Sequence, residues 1–328
     1  MKYEIFGESH GPAIGIVVKG VPAGIELDMD FICSELARRA PGKNNTSTAR
    51  KESDFPEIIS GVKDGVTTGA PLCAMIRNSD THSSDYSEIS HKPRPSHSDY
   101  PAWVRYQGNN DIRGGGHFSA RLTAPLVFVG ALAKTCLKEK EIMISSSVKC
   151  IGGIMDPNEN QIEEVILSAK QDLDSVGGMI HVSAQGIPAG IGGPDYGENV
   201  EGEISRAVFS IPAVKGIQFG AGFDLANMRG SQANDPLRIV EGKIITTTNH
   251  AGGINGGISN GMPIEFDVVL RPTPSIGKQQ DTVDLDTMEN TTLIIKGRHD
   301  PCVVLRALPV LEAATAVALF DLIQRSGS

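Results

Sequence analysis

The chain has 328 residues, 40% hydrophobic and 21% charged, enough to bury a sizeable core in two domains or one large duplicated unit. With 39 acidic against 30 basic residues the net charge is -9, which excludes a global field drawing the protein to nucleic acid or an anionic membrane, so any anionic ligand must be met by a local cluster. The five cysteines, Cys33, Cys73, Cys136, Cys150 and Cys302, are odd in number and lack CxxC spacing, which reads as reduced thiols and excludes the usual zinc or redox patterns.

At the front, Gly7-Glu8-Ser9-His10-Gly11 sets three compact polar residues between glycines, and Pro12 to Lys19 alternates like a strand. A loop therefore presents Ser9 and His10 at the mouth of that strand. No basic region followed by a long apolar core opens the sequence, so no signal peptide is expected and a cytoplasmic location is. After a turn at Val21 to Gly24, a helix is expected from Asp30 to Arg39, capped by Asp28 or Asp30 and stopped by Pro41-Gly42. Gly42 to Lys51 is small, polar and basic and reads as a mobile loop. Glu57 to Val62 and Pro71 to Arg77 alternate like strands. From Asn78 to Gly116 periodicity lapses while His82, His91, Arg94, His97, Asp99, Trp103 and Arg105 accumulate, the composition of a functional loop.

That loop ends in Arg113-Gly114-Gly115-Gly116-His117-Phe118-Ser119, where a helix is expected to begin and run to about Lys138. Its nearly non-polar core, Leu122 to Ala133, falls short of the roughly 20 residues of a membrane span and reads as a buried core helix. Bare glycine backbone opening a helix suits a phosphate. Further on, helices are expected at Gln161 to Leu173, Glu198 to Phe209 and Leu308 to Gln324, with strands at Gly178 to Gln185, Val214 to Phe219, Arg238 to Thr247 and Pro263 to Leu270. The last helix is apolar nearly all round and should lie between layers.

Gly20-Val21-Pro22-Ala23-Gly24-Ile25 recurs as Gly186-Ile187-Pro188-Ala189-Gly190-Ile191, each time after an alternating strand and before a helix. From this we expect an α+β fold: two antiparallel sheets packed around central helices, one internally duplicated domain over 1–328 with halves of about 1–150 and 151–328.

The signature Gly7 to Gly11 followed by Gly20-Val21-Pro22 resembles that of the chorismate synthase family. Arg38-Arg39-Ala40-Pro41-Gly42, Pro93-Arg94-Pro95-Ser96-His97-Ser98-Asp99, Arg113 to Gly116, Asn249-His250-Ala251-Gly252-Gly253 and Gly297-Arg298-His299-Asp300-Pro301-Cys302 are similar to its further blocks, in order over almost the whole chain. The resemblance implies a lyase of the shikimate pathway. Its reaction is loss of phosphate and a ring proton from 5-enolpyruvylshikimate 3-phosphate, giving chorismate, with FMN required in reduced form although nothing is oxidised overall. It also implies a two-sheet fold around helices and a homotetramer.

By the family pattern His10 lies near the flavin, His97 serves as acid near the phosphate, and Ser9 and Asp300 relay the ring proton by way of the flavin. A substrate with two carboxylates and a phosphate needs bidentate cations; Arg38, Arg39, Arg50, Arg105 and Arg121 lie within or beside the matching blocks. Cofactor contacts carry over onto His117, Phe118, Ser119, Ala213, Gly256, Arg271, Pro272, Thr273, Pro274, Ser275 and Arg298. The chain departs from the family after the glycine triplet, where Arg-Ser-Ser-Ala-Arg-Glu-Thr is usual and His117-Phe118-Ser119-Ala120-Arg121-Leu122-Thr123 stands instead. A flavin- or anion-binding paralogue without turnover is the alternative reading this leaves open. No metal-ligand spacing is present among the histidines, and the lack of a dinucleotide fingerprint points to an external flavin reductase.

Overall fold

The computed structural model describes residues 1–42, 54–79, 90–295 and 300–326. Four strands, Lys2–Gly7, Ala13–Lys19, Pro56–Ser60 and Leu72–Arg77, form an N-terminal antiparallel sheet. Met143–Ile151, Gly178–Gln185, Val214–Phe219 and Ile264–Leu270 form a C-terminal one, with the short Ile154–Met155 on its edge. Both sheets are wired alike: the first strand in sequence pairs with the second, the second with the fourth, and the fourth with the third. The hexapeptides at Gly20 and Gly186 each follow the second strand.

The helices are α1 (Met29–Arg39), α2 (Asp99–Tyr106), α3 (Thr123–Lys138), α4 (Glu159–Gln171), α5 (Val200–Phe209), α6 (Gly230–Ala233) and α7 (Val304–Ser326). Asp28 is the cap of α1, its carboxylate accepting from the Phe31 N–H at 2.9 Å. α3 packs on the N-terminal sheet, α7 on the C-terminal sheet, and the two helices on each other. Both are apolar on nearly every side because every side meets protein: α3 is buried from Thr123 to Ala133 and α7 from Pro309 to Phe320. α7 and the segment Arg113–Lys138 are long and apolar enough to cross a membrane by length and composition, but in this fold they are the core. At their crossing Gly130 faces Ala313 so closely that a Cβ on Gly130 would lie 2.2 Å from the Ala313 Cβ. One continuous hydrophobic core runs through both sheets and the helical layer.

The α+β architecture agrees with the sequence pattern, with local differences. Strands Lys2–Gly7 and Met143–Ile151 and helix α2 went unread, and so did the hairpin Gln279–Asp284/Glu289–Ile294. The strand expected over Arg238 to Thr247 is instead a hairpin, Leu237–Val240 with Lys243–Thr246, because Glu241 and Gly242 both take left-handed backbone (φ 50° and 76°) and reverse the chain. The loop expected at Gly42 to Lys51 lies outside the described residues beyond Gly42.

Candidate active site

The Gly7 to Gly11 turn is fixed by two distant segments. Asn78 donates from Nδ2 to the carbonyls of Glu8 (3.0 Å) and Gly11 (2.8 Å). The Ser9 N–H donates to the Gly116 carbonyl at 3.0 Å, and His117 Nδ1 donates to the Gly7 carbonyl at 2.9 Å. Because a carbonyl only accepts, Nδ1 of His117 carries the hydrogen and Nε2 is its free acceptor when the ring is neutral.

The glycine triplet does more than open a helix. Gly114, Gly115 and Gly116 have φ of 58°, 84° and 52° inside a distorted turn, Arg113–Phe118, with a second short turn, Ala120–Leu122, before α3 begins. A Cβ at Gly114 would lie 2.2 Å from the His10 ring and 2.9 Å from Ser9 Oγ; at Gly115 it would lie 3.4 Å from the His97 ring. Two histidines far apart in sequence therefore rest on successive glycines. A Gly114→Ala variant should lose most activity, since left-handed backbone and ring overlap both oppose a side chain there; near-normal turnover in a steady-state assay would show that His10 is not held against this loop.

His97 belongs to a compact network. Its Nδ1 lies 2.6 Å from Asp99 Oδ1. Asp99 also accepts from Arg94 through Nε (2.7 Å), Nη2 (2.8 Å) and the backbone N–H (3.0 Å). Burial disfavours the Asp99 anion, but the hydrogen bonds from Arg94 and His97 outweigh it and hold the carboxyl far below the usual range. Arg94 Nη1 reaches Ser275 Oγ at 3.2 Å and Arg271 donates to the Ser96 carbonyl at 2.8 Å, tying this segment to the Arg271 to Ser275 loop. That loop is anchored in turn by the Arg271 N–H to the carbonyl of Ala213, itself left-handed at φ 74°.

A second network carries the arginines. Asp54, buried, takes Arg39 Nη2 on one oxygen at 2.7 Å and Arg121 Nη1 on the other. Arg121 Nε also donates to Asn78 Oδ1 at 3.0 Å. Arg306, in the first turn of α7, donates to the Arg39 carbonyl (3.0 Å) and to Asp300 Oδ2 (2.5 Å). Burial, with the crowding of Arg306 and Arg121 against the opposing pull of Asp54, lowers Arg39 to about 10. Burial likewise raises the Asp300 carboxyl, with Arg306 opposing only in part.

These groups meet in a cavity of about 990 Å³. Of the residues expected from sequence, His10, His97, Asp300, Arg39, Arg121, His117, Phe118, Ser119, Ala213, Arg271, Thr273, Pro274 and Ser275 line it. Ser9 lies beneath Gly114, fully buried, and Pro272 lies within the lining loop without facing the cavity. Arg38 points elsewhere, bonded to Glu35 (2.8 Å) and by two nitrogens to Glu312 (2.7 and 2.8 Å). Arg105 is exposed over the Tyr106 ring. Gly256 sits in a short hairpin where a Cβ would meet open space, so its φ of 62°, and no close approach within this chain, accounts for the glycine. Arg50 and Arg298 lie outside the described residues.

Sequence reasoning missed Arg306, Asp54 and Asn78, and it noted Arg94 and Asp99 without a role. Cavity cations Arg39, Arg94, Arg121, Lys215, Arg271 and Arg306 face carboxylates Glu4 and Asp300, an anion-attracting lining inside an acidic protein. Arg39 Nε, Thr273 Oγ1 and Asp300 Oδ1 are buried there without a hydrogen-bond partner among the described residues. Phe118 adds an apolar face, packed edge-on to His117 and 6.2 Å from the Tyr106 ring.

A family model described as chorismate synthase matches residues 1–324. A chorismate synthase of Thermococcus kodakarensis is 44% identical over 98% of this chain and 95% of its own length. One from Korarchaeum cryptofilum is also 44% identical, with the same coverage, and one from Dehalococcoides mccartyi is 43% identical over 98% of this chain and 94% of its own. A solved structure described as a crystal structure of chorismate synthase superposes with a TM-score of 0.76 at 28% identity, covering 99% of this chain and 91% of that one.

Proposed function

The chain belongs to the chorismate synthase family of lyases, and from that premise we propose how its cavity carries out the family's reaction, loss of phosphate and a ring proton from 5-enolpyruvylshikimate 3-phosphate. The observation that carries the reading is the placement of His10 and His97 on successive glycines at the wall of a cation-lined cavity that also holds Asp300. Arg39, Arg121 and Arg306 meet the substrate's anionic groups: all three line the cavity, Arg39 and Arg121 buried against Asp54 and Arg306 paired with Asp300. His97 presents Nε2 as the proton donor to the departing phosphate. Asp300, its carboxyl raised by burial and its Oδ1 without a partner among the described residues, accepts the ring proton. A share for Ser9 in that relay rests on the family pattern, since its side chain lies buried beneath Gly114.

The cavity suits a reduced FMN beside the substrate. It is large enough for both, Phe118 offers an apolar face, the buried Thr273 hydroxyl is unpartnered among the described residues, and Ser275, Arg271 and His117 Nε2 are polar groups for the ring edges and phosphate. Once bound there, reduced flavin supplies electron density to the electron-poor allylic centre left by phosphate loss. His10 lies where an imidazolium would offset negative charge on its neighbour in the cavity. Arg50, Gly256 and Arg298 remain proposed contacts from the family pattern. We also propose that the protein acts in the cytoplasm as a homotetramer fed by a separate flavin reductase, and that its two alike-wired sheets descend from one duplicated unit; the free cysteines and the paired hexapeptides support these readings.

The test is an anaerobic assay with photoreduced FMN and 5-enolpyruvylshikimate 3-phosphate, following chorismate absorbance. Chorismate should accumulate in proportion to enzyme. No product with FMN demonstrably bound would overturn the proposal in favour of a binding paralogue.

A further inference from the structure

His97 reaches the cavity by one ring nitrogen only if something fixes the other. A neutral imidazole in water favours the tautomer with hydrogen on Nε2, which would leave the cavity-facing nitrogen a donor with nothing set behind it. In this site Nδ1 faces Asp99 Oδ1 at 2.6 Å. Arg94 Nη2 also stands 3.1 Å from Nδ1 but has its shorter contact, 2.8 Å, with Asp99 Oδ1, so the carboxylate is the nearer partner of both. Asp99 has no freedom of its own: Arg94 grips both its oxygens with Nε, Nη2 and the backbone N–H. Arg94 and Asp99 are each 6% exposed, so the pair is shielded from water. Ser98 Oγ stands 3.3 Å from the same Nδ1, and Arg94 is fixed at its far end by Ser275. On its other side the ring meets Gly115, where no side chain intervenes.

Resting on the reading of His97 as the acid, we propose that Asp99 is the positioning residue of the site: it holds one hydrogen of the His97 imidazolium on Nδ1, so that the other, on Nε2, is aimed at the cavity and is the one given up, leaving the neutral Nδ1–H ring, while Arg94 holds Asp99. Arg94 cancels most of the carboxylate's charge at close range, so the work done on His97 is chiefly orientation. The arrangement has the logic of a nucleophile's base oriented by a third group, transferred to an acid. It also explains the two-residue spacing of His97 and Asp99 at the entry to α2. His97 lies just ahead of the helix and Asp99 is its first residue, so both side chains come from one backbone corner.

The experiment is long-range proton–nitrogen NMR of the full-length protein labelled with nitrogen-15 in histidine, with the His97 signals assigned by their loss in His97→Gln. In the unmodified protein at alkaline pH, His97 should be in the Nδ1–H tautomer; an Nε2–H tautomer there overturns the proposal without any variant of Asp99. In Asp99→Asn the amide oxygen stays with the two Arg94 donors at the Oδ2 position, turning the amide nitrogen toward Nδ1. The tautomer should then switch to Nε2–H, and kcat should fall by roughly 10²–10⁴ with KM changed only a few-fold. A switched tautomer with unchanged kcat also overturns it. If His97→Gln retains full turnover, the reading of His97 as acid fails, and that outcome is separate from the tautomer result.

Discussion

His97→Ala should lower turnover by roughly 10²-fold or more while leaving the thermal unfolding midpoint close to that of the parent, and His10→Ala should do likewise. The reason is geometric. His97 lies at the cavity wall with its side chain 17% exposed and, among the described residues, bonded within its own short segment, so truncating it removes a proton donor without opening the core. His10 is held by the turn that Asn78 and Gly116 fix, and it lies against Gly114. Rate measurements under saturating reduced FMN decide the matter: rates near the parent's for both variants would remove the histidines from the mechanism.

The second large effect is on stability. Asp54→Asn keeps the shape and the tolerance for left-handed backbone that φ of 50° demands, but removes a charge that two buried guanidiniums share. Breaking a buried ion pair by discharging one partner costs about 3–5 kcal/mol, because the remaining charge is left uncompensated out of water. The urea unfolding midpoint should fall accordingly. Anion binding should also weaken, because Arg39 and Arg121 would no longer be held side by side. An unchanged midpoint would mean that the arginines find other partners.

The parts of this molecule that were legible in sequence are those whose signal is local. α1 has a cap and a stop, α3 and α7 are apolar on all sides, and the two hexapeptides mark the same position in each sheet. Met143–Ile151 escaped because Ser145, Ser146 and Ser147 interrupt its alternation, and Lys2–Gly7 because only Tyr3 and Ile5 of its inward face are apolar. In the site, ordered blocks led to His10, His97 and Asp300, whereas Asp54 and Asn78 matter only through partners that the fold brings from far along the chain. Arg38 shows the opposite error. Adjacent residues on a helix point about 100° apart, so Arg38 and Arg39 could not both face one cavity. α1 turns Arg39 inward and gives Arg38 to Glu35 and Glu312. The Asp99 signal was available, since a histidine followed two residues later by an aspartate at a helix start can close a local dyad.

The contact between Gly130 and Ala313 has a consequence well away from where it lies. α3 leads directly out of the segment carrying the glycine triplet, and α7 begins just after Asp300 and carries Arg306 in its first turn. The spacing between these two walls of the cavity is therefore set by how closely two apolar helices approach at one small-residue crossing. The width of the reaction chamber is thus gauged by a joint that touches no reactant. A bulkier residue at that joint would spread the walls like a wedge behind a hinge, altering the fit for the substrate while every group that meets it stayed the same.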